Sequence, residues 1–158
     1  MRKLRQMIQT AIGALVLFAA AFATSGPVMA AGCSGTGCNG KDPIAMGCAD
    51  SRAYDVYTRE INYGGTNLSA TMRVILRYSP TCGTNWAKVE VTRSNPSNYS
   101  FQIALTLQDS GYNTVSGTSH GTVGRSGYGN MYYAPTTPMR ACGVLSTFGG
   151  GYQCTNAG

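Results

Sequence analysis

The chain has 158 residues and a formal net charge of +6, with twelve Lys and Arg against six Asp and Glu. Charged residues make up 11% of the sequence, while glycine occurs 21 times and cysteine six times. Three of the basic residues stand at the extreme N-terminus, which leaves nine basic against six acidic residues scattered over the remainder. Such a spread lacks the basic stripe of a nucleic-acid-binding domain, so we expect no nucleic-acid partner.

Residues 1–30 are predicted to be a secretory signal peptide that is removed. They contain, in order, a positive segment, an uncharged apolar run and small cleavage-site residues: Arg2, Lys3 and Arg5, residues 11–23, and Val28 with Ala30. The run is shorter than the ~20 residues that span a bilayer, and no second such run follows, so we expect no transmembrane segment after signal removal. A retained anchor is one alternative. Another is lipidation of Cys33 in "AAGC", although that would leave five cysteines.

An even number of cysteines in an exported chain predicts structural disulfides among all six: Cys33, Cys38, Cys48, Cys82, Cys142 and Cys154. The sequence leaves the pairing open. We expect Cys142 and Cys154 to close a C-terminal loop, and the N-terminal cluster of cysteines to be tied to Cys82. The spacing of that cluster does not match paired zinc ligands, so we predict neither a metal nor another cofactor.

In chain order, residues 33–51 (CSGTGCNGKDPIAMGCADS) predict a loop that disulfides hold as a cap over the end of a sheet. Residues 54–63 (YDVYTREINY) predict a strand, although their alternation is poor. Three further segments alternate with period two, which predicts strands with one buried face: residues 67–78, 86–93 and 99–108. We expect those three to form an antiparallel meander.

The chain beyond Asp109 is rich in Gly, Ser, Thr and Tyr and predicts short or irregular strands, followed by a final hairpin of residues 139–147 and 151–155. No segment outside the signal has a helical period. The predicted architecture is therefore one all-β domain of residues 31–158, a small antiparallel β-sandwich or barrel with a disulfide-tied N-terminal loop.

The residues that could carry out catalysis are few. His120 is the single histidine and has no acidic residue within ten positions, so we expect an exposed loop residue. Oxidised cysteines offer no nucleophile. A glycosidase needs two carboxylates at a defined separation, and nothing in the sequence singles out such a pair. We therefore expect no enzymatic activity.

Five residues are candidates for binding: Lys41, Asp42, Arg77, Tyr78 and Trp86. Alternation places Trp86 on the same wet face as Lys88, as an exposed platform, but the loop around Cys82 would make it a buried structural lid. Asp42 has the alternative of capping an ordinary turn. Tyrosines among glycines suit carbohydrate or protein contacts, with edge packing as the alternative: Tyr128, Tyr132, Tyr133 and Tyr152.

Two segments, "CNGKDPIAMGCADSRA" and "LRYSPTCGTNWAKVEV", resemble the exported family known as domain of unknown function 2690, found in Gram-positive bacteria. The resemblance runs from Cys33 to Val91 and extends loosely to the region of Cys142 and Cys154. Some relatives are secreted alone, and others lie outside a membrane segment that is joined to a cytoplasmic DNA-binding helix-turn-helix. The resemblance implies an extracellular sensor or binder and assigns no activity, ligand or catalytic residue.

We therefore expect a secreted, non-catalytic binding module for an unidentified extracellular ligand, which is a cell-wall polymer, another carbohydrate or a protein. The expected surface is the end of the sheet where "GKDP", Arg77, Tyr78, the Cys82 loop and Trp86 meet. Two rival functions are a secreted hydrolase that acts on cell-wall polymer through acidic residues, and a toxin or inhibitor-like interaction protein.

Overall fold

The computed structural model describes residues 31–158, and the predicted signal peptide lies outside the described residues. The strands are β1 (Tyr54–Tyr63), β2 (Ser69–Ser79), β3 (Thr84–Asn95), β4 (Phe101–Asp109), β5 (Thr114–Ser116), β6 (Ser119–His120), β7 (Val123–Gly124), β8 (Ser126–Gly129), β9 (Tyr132–Tyr133), β10 (Met139–Leu145) and β11 (Gln153–Cys154). Two short 3₁₀ helices span Gly35–Cys38 and Ser146–Phe148.

The strands form two antiparallel sheets. The first has the order β1-β2-β3-β8-β6, with β9 also paired to β3. The second has the order β11-β10-β4-β5, with β7 also paired to β4. The predicted all-β class, a small antiparallel sandwich with a disulfide-tied N-terminal loop, is confirmed.

The core lies between the two sheets and follows from the period-two alternation of the long strands. Strand β2 contributes Met72, Val74 and Leu76, and the facing sheet contributes Leu105 and Leu107, all of them buried. Burying each side chain of this size stabilises the fold by roughly 1.5–3 kcal/mol. Several aromatic rings close the core at one end, among them Phe101, Tyr63 and Phe148.

The predicted meander of the three clearest strands is wrong at its last step. Strands β2 and β3 pair along their length, but β4 lies in the second sheet, between β10 and β5. The observed meander is β1-β2-β3 instead. Alternation shows only that a strand has one buried face. A strand has such a face whether it pairs with the preceding strand in one sheet or lies in the facing sheet. The sequence therefore could not separate the two arrangements.

Three disulfides tie the chain. The bond between Cys142 and Cys154 joins directly paired positions of β10 and β11, as predicted. Cys48 bonds to Cys82, which confirms that the N-terminal cluster is tied to Cys82, and Cys33 bonds to Cys38. Among the described residues no helix is long and apolar enough to cross a membrane.

Gly143 marks a close approach of the two sheets. A Cβ atom at this position would lie 2.5 Å from Val89 Cγ2 and 3.3 Å from Val74 Cγ2. Both valines are fully buried in the facing sheet, so neither has free space into which to move. Strand β10 therefore needs a residue without a side chain where it crosses β2 and β3.

We predict that Gly143→Ala lowers the free energy of unfolding by about 1–3 kcal/mol, because the added methyl group overpacks the core. Urea unfolding followed by circular dichroism measures the loss. Gly117→Ala is the control, since a Cβ atom there meets its nearest neighbour, Thr114 Cγ2, at an ordinary 3.8 Å. Equal stability of the two variants would contradict the close packing at Gly143.

Candidate functional site

Trp86 lies on the outer face of the first sheet and is nevertheless buried, with 2% of its surface exposed. The N-terminal cap covers it, and the indole forms one buried cluster with Cys38, Cys48, Cys82 and Met131. Trp86 is thus a structural lid residue and presents no exposed platform. The cap covers the outer face of the first sheet at one end of that sheet.

The cap is also held by hydrogen bonds to the segment after β8. The amide of Gly40 donates to the carbonyl of Met131 at 2.9 Å, and the amide of Met131 donates to the carbonyl of Lys41 at 2.9 Å. The amide of Tyr133 donates to Asn39 Oδ1 at 2.6 Å. The side chain of Lys41 is exposed. These bonds fix the "GKDP" turn beside β8 and β9.

Asp42 joins the cap to β8 and β6. Its Oδ1 accepts from the amides of Ile44 at 2.7 Å and Ala45 at 3.1 Å, which is the turn-capping role that the sequence offered as the alternative. Its Oδ2 accepts from the Tyr128 hydroxyl at 3.2 Å and lies 3.7 Å from His120 Nε2. The carboxylate therefore has a local role in the turn and a long-range role as a clasp between cap and sheet.

The electrostatics of this clasp favour a charged Asp42. Desolvation raises the pKa of the carboxyl, but the amides of Ala45 and Ile44, the Tyr128 hydroxyl and the charge on His120 together outweigh it, so the pKa is lowered. The pKa of Tyr128 is raised, first by burial and then by the neighbouring Asp42 charge. Tyr128 thus stays a neutral donor to a charged acceptor.

His120 is half-buried in β6, so the expectation of an exposed loop residue is wrong. Its ring stacks on Tyr128 with the centroids 4.9 Å apart, and its Nε2 lies 2.6 Å from Asn130 Oδ1. The sequence separation of 78 residues between Asp42 and His120 hid this cluster from sequence reasoning. Asn130 and Asp42 both lie beside Nε2, and none of the described hydrogen bonds joins the ring to a serine, threonine or cysteine nucleophile.

The other carboxylates of the described chain are also engaged, apart from the exposed Glu60. Asp50 accepts from Thr81 and Arg52, Glu90 pairs with Lys88 and Arg73, and Asp55 pairs with Arg77. The Thr81 hydroxyl is the main cause of the lowered pKa of Asp50, and the Lys88 ammonium is the main cause for Glu90. Asp109 has a lowered pKa chiefly because the Asn113 side chain donates to it. A general acid of a glycosidase needs a raised pKa, and these four carboxyls have the opposite shift: Asp42, Asp50, Glu90 and Asp109.

Arg77 and Tyr78 lie on opposite faces of β2 because they are neighbours in a strand. The Arg77 guanidinium carbon lies 5.5 Å from the centroid of the Trp86 ring, and Nη2 donates to the Ala53 carbonyl at 2.7 Å. Tyr78 instead meets Tyr54 edge to face and lines a small cavity of about 190 Å³. The five predicted binding residues therefore do not form one exposed surface.

An open cleft lies at the other end of the first sheet, away from the cap. Its volume is about 570 Å³, within the range of about 300–1,000 Å³ for small-molecule sites. Nine of its ten lining residues have a polar side chain, and none of the ten has a carboxylate, an imidazole or a thiol: Asn62, Tyr63, Ser69, Ala70, Thr71, Thr92, Arg93, Ser94, Asn95 and Ser97. Sequence reasoning missed this cleft because its residues come from the ends of three strands and one loop.

A β-bulge in β3 shapes the cleft. Met72 pairs with Val91 and Thr71 with Arg93, so Thr92 is an extra residue without a partner in β2. In a regular ladder Thr92 would lie opposite Thr71, on the outer face of the sheet. The bulge puts Arg93 there instead, in one row with Thr71 and Asn62.

Two further contacts hold the cleft in place. The Thr71 hydroxyl donates to Asn62 Oδ1 at 2.8 Å, which orients the amide and leaves its NH₂ group available. Arg125 donates to Ser94 Oγ at 2.7 Å, to the Ser97 carbonyl at 2.7 Å and to the Val91 carbonyl at 3.2 Å. Arg125 thereby fixes the loop that forms one wall of the cleft.

The molecule is thus a two-sheet antiparallel β-sandwich with a cystine-tied cap at one end of its first sheet and an open polar cleft at the other. Residues 36–142 match the family described as "Protein of unknown function (DUF2690)", and the chain belongs to this family. The match confirms the resemblance and extends it through the cleft to β10. No curated protein and no solved structure matches the chain.

We predict that Asp42→Asn lowers the free energy of unfolding by about 1–3 kcal/mol, because the partly buried clasp loses a charged acceptor. A carboxyl with a lowered pKa stabilises the fold fully above its ordinary pKa of 3.8, and this contribution is lost as the pH falls through the lowered value. The difference from wild type should therefore be present at pH 6 and shrink below about pH 4.

Urea unfolding between pH 2.5 and pH 7 measures this dependence. Glu60→Gln is the matched control, because Glu60 is exposed and forms no side-chain hydrogen bond or salt bridge with the described residues. A difference between Asp42→Asn and wild type that stays constant down to the lowest pH would contradict the clasp.

We predict that the Cys48→Ala/Cys82→Ala double variant exposes Trp86, the only tryptophan of the chain, because the cap loses its covalent tie. Its fluorescence should shift to longer wavelength and acrylamide should quench it more strongly. The Cys142→Ala/Cys154→Ala variant is the control and should keep the emission of the wild type. If the cap variant emits and is quenched as the wild type is, the bond does not hold the cover over the indole.

Proposed function

We propose that the protein is an extracellular, non-catalytic module that binds a glycan in the cleft at the uncapped end of its first sheet. The observation that carries the proposal is the lining of this cleft, in which hydroxyl and amide side chains from three strands and one loop surround about 570 Å³. Sugars present hydroxyl groups that both donate and accept hydrogen bonds, and Asn, Ser and Thr side chains complement them in both senses.

The polarity of the cleft favours a glycan over the other candidate ligands. Pockets for apolar small molecules are lined mainly by hydrophobic side chains, whereas Ala70 is the single residue of this lining without a polar group. The central part of a protein-binding surface is usually rich in apolar and aromatic residues. Tyr63 is the one aromatic residue of the cleft.

The absence of acid–base groups from the lining favours binding over hydrolysis. A glycoside hydrolase places two carboxylates beside the scissile bond, and the lining contains none. The carboxylates with shifted pKa values lie elsewhere and are held in their charged form. We therefore keep the non-catalytic binding module that the sequence predicts, but we place its binding site at the end of the sheet opposite the cap.

An extracellular location fits the structure and the sequence. All six cysteines are paired in disulfides, which persist in oxidising compartments, and the sequence of residues 1–30 has the pattern of a secretory signal. Cell-surface polysaccharides are the glycans that such a protein meets first. Release of the protein into the medium is therefore part of the proposal.

Retention on insoluble cell-wall polysaccharide tests the function. We expect the Asn62→Ala/Asn95→Ala variant to bind about thirtyfold more weakly than wild type, because two hydrogen bonds of about 1 kcal/mol each are lost. Asn67→Ala/Asn98→Ala is the matched control, since both residues are exposed on neighbouring turns and lie outside the lining. If wild type is not retained, or both variants bind as wild type does, the cleft is not the glycan site.

A further inference from the structure

Arg93 and Lys41 are the two cations of the described chain whose side chains are unpaired, and Lys41 is exposed on the cap, away from the cleft. Arg52, Arg73, Arg77 and Lys88 form salt bridges with carboxylates. Other guanidinium groups donate to oxygens or lie over an aromatic ring, namely Arg59, Arg125 and Arg140. Among residues 31–158, Arg93 has neither a salt bridge nor a side-chain hydrogen bond, and it is the one cation that lines the cleft.

A β-bulge in β3 places the charge of Arg93 in the cleft. The extra residue Thr92 shifts the register by one, which brings Arg93 to the outer face opposite Thr71. Bulges commonly re-aim a side chain beside a binding site, at the expense of one ladder position. Without the bulge, alternation would direct Arg93 toward the inner face of the sheet, where a charge is costly to bury.

The surroundings of Arg93 favour an anion over a neutral ligand. No carboxylate lines the cleft, so no protein group competes for the guanidinium. Arg125 lies directly behind the cleft wall, where it is held by neutral oxygens of Ser94, Ser97 and Val91, so a second positive charge adds to the local potential. A guanidinium group binds a carboxylate or a phosphate through two parallel hydrogen bonds.

We infer that Arg93 makes the cleft selective for an acidic glycan, whose anionic group, a carboxylate or a phosphate, pairs with the guanidinium while neutral hydroxyls contact Asn62 and Ser69. This inference rests on the proposed function and names the class of glycan that the cleft takes. The two anionic groups share the same recognition chemistry, and the experiment distinguishes between them.

Isothermal titration of the purified protein with defined polymers tests the selectivity. The probes are polygalacturonate, its carboxyl-reduced neutral counterpart and poly(glycerol phosphate). We expect the neutral polymer to bind roughly tenfold to hundredfold more weakly than the polygalacturonate or the poly(glycerol phosphate), because a charge-assisted hydrogen bond contributes more than a neutral one. The tighter of the two acidic polymers identifies the anionic group.

Arg93→Gln should reduce the affinity for the acidic polymer to that for the neutral one, and Arg93→Lys should restore part of the loss. Lys41→Gln is the control of equal charge change, because Lys41 is exposed on the cap at the far end of the sheet. If acidic and neutral polymers bind wild type equally well, the selectivity is refuted while the glycan-binding function stands. If none of the polymers binds, both fail, and if Arg93→Gln and Lys41→Gln weaken binding equally, the effect is only one of net charge.

Discussion

The burial of Trp86 is the constraint on which the rest of this structure depends. Its indole stands on the outer face of a sheet whose inner face already packs the core, so a second layer must cover it. The N-terminal segment supplies that layer although it has no core of its own. The Cys48–Cys82 bond closes a loop of 34 residues and stabilises the covered state by roughly 3–4 kcal/mol. The burial of the tryptophan therefore depends on the disulfide.

The cap also divides the outer face of the first sheet into two functional ends. At the capped end, Arg77 and Asp42 are bonded to groups of the protein itself. At the other end no cap covers β1, β2 and β3, and the bulge at Thr92 turns Arg93 to the outer face. At this second end a ligand can contact hydrogen-bonding groups that line the open cleft. Stability and the proposed binding thus use different parts of one sheet.

The sequence predicted those features that depend on local patterns. Alternation located β2, β3 and β4, and the spacing of Cys142 and Cys154 matched a hairpin. The sequence did not place β4 in the second sheet, because alternation indicates which face of a strand is buried and not which strands pair with each other. It did not bring His120 to Asp42, because a contact across 78 residues leaves no local signal. Nor did it reveal the bulge at Thr92, since both registers leave a plausible alternation.

The cleft was the least predictable feature, and the reason is physical. Its lining consists of Ser, Thr and Asn at strand ends, residue types that are equally common in turns without function. Only the three-dimensional register shows that Asn62, Thr71 and Arg93 stand side by side across three strands. Trp86, the aromatic residue among the predicted binding residues, is structural. Arg93, which belongs to no local motif, is the cation that lines the cleft. In a chain with so few charged residues, an unpaired cation in a cleft is a stronger indication of a ligand than an aromatic residue is. The reason is that no carboxylate in the lining neutralises the charge of Arg93.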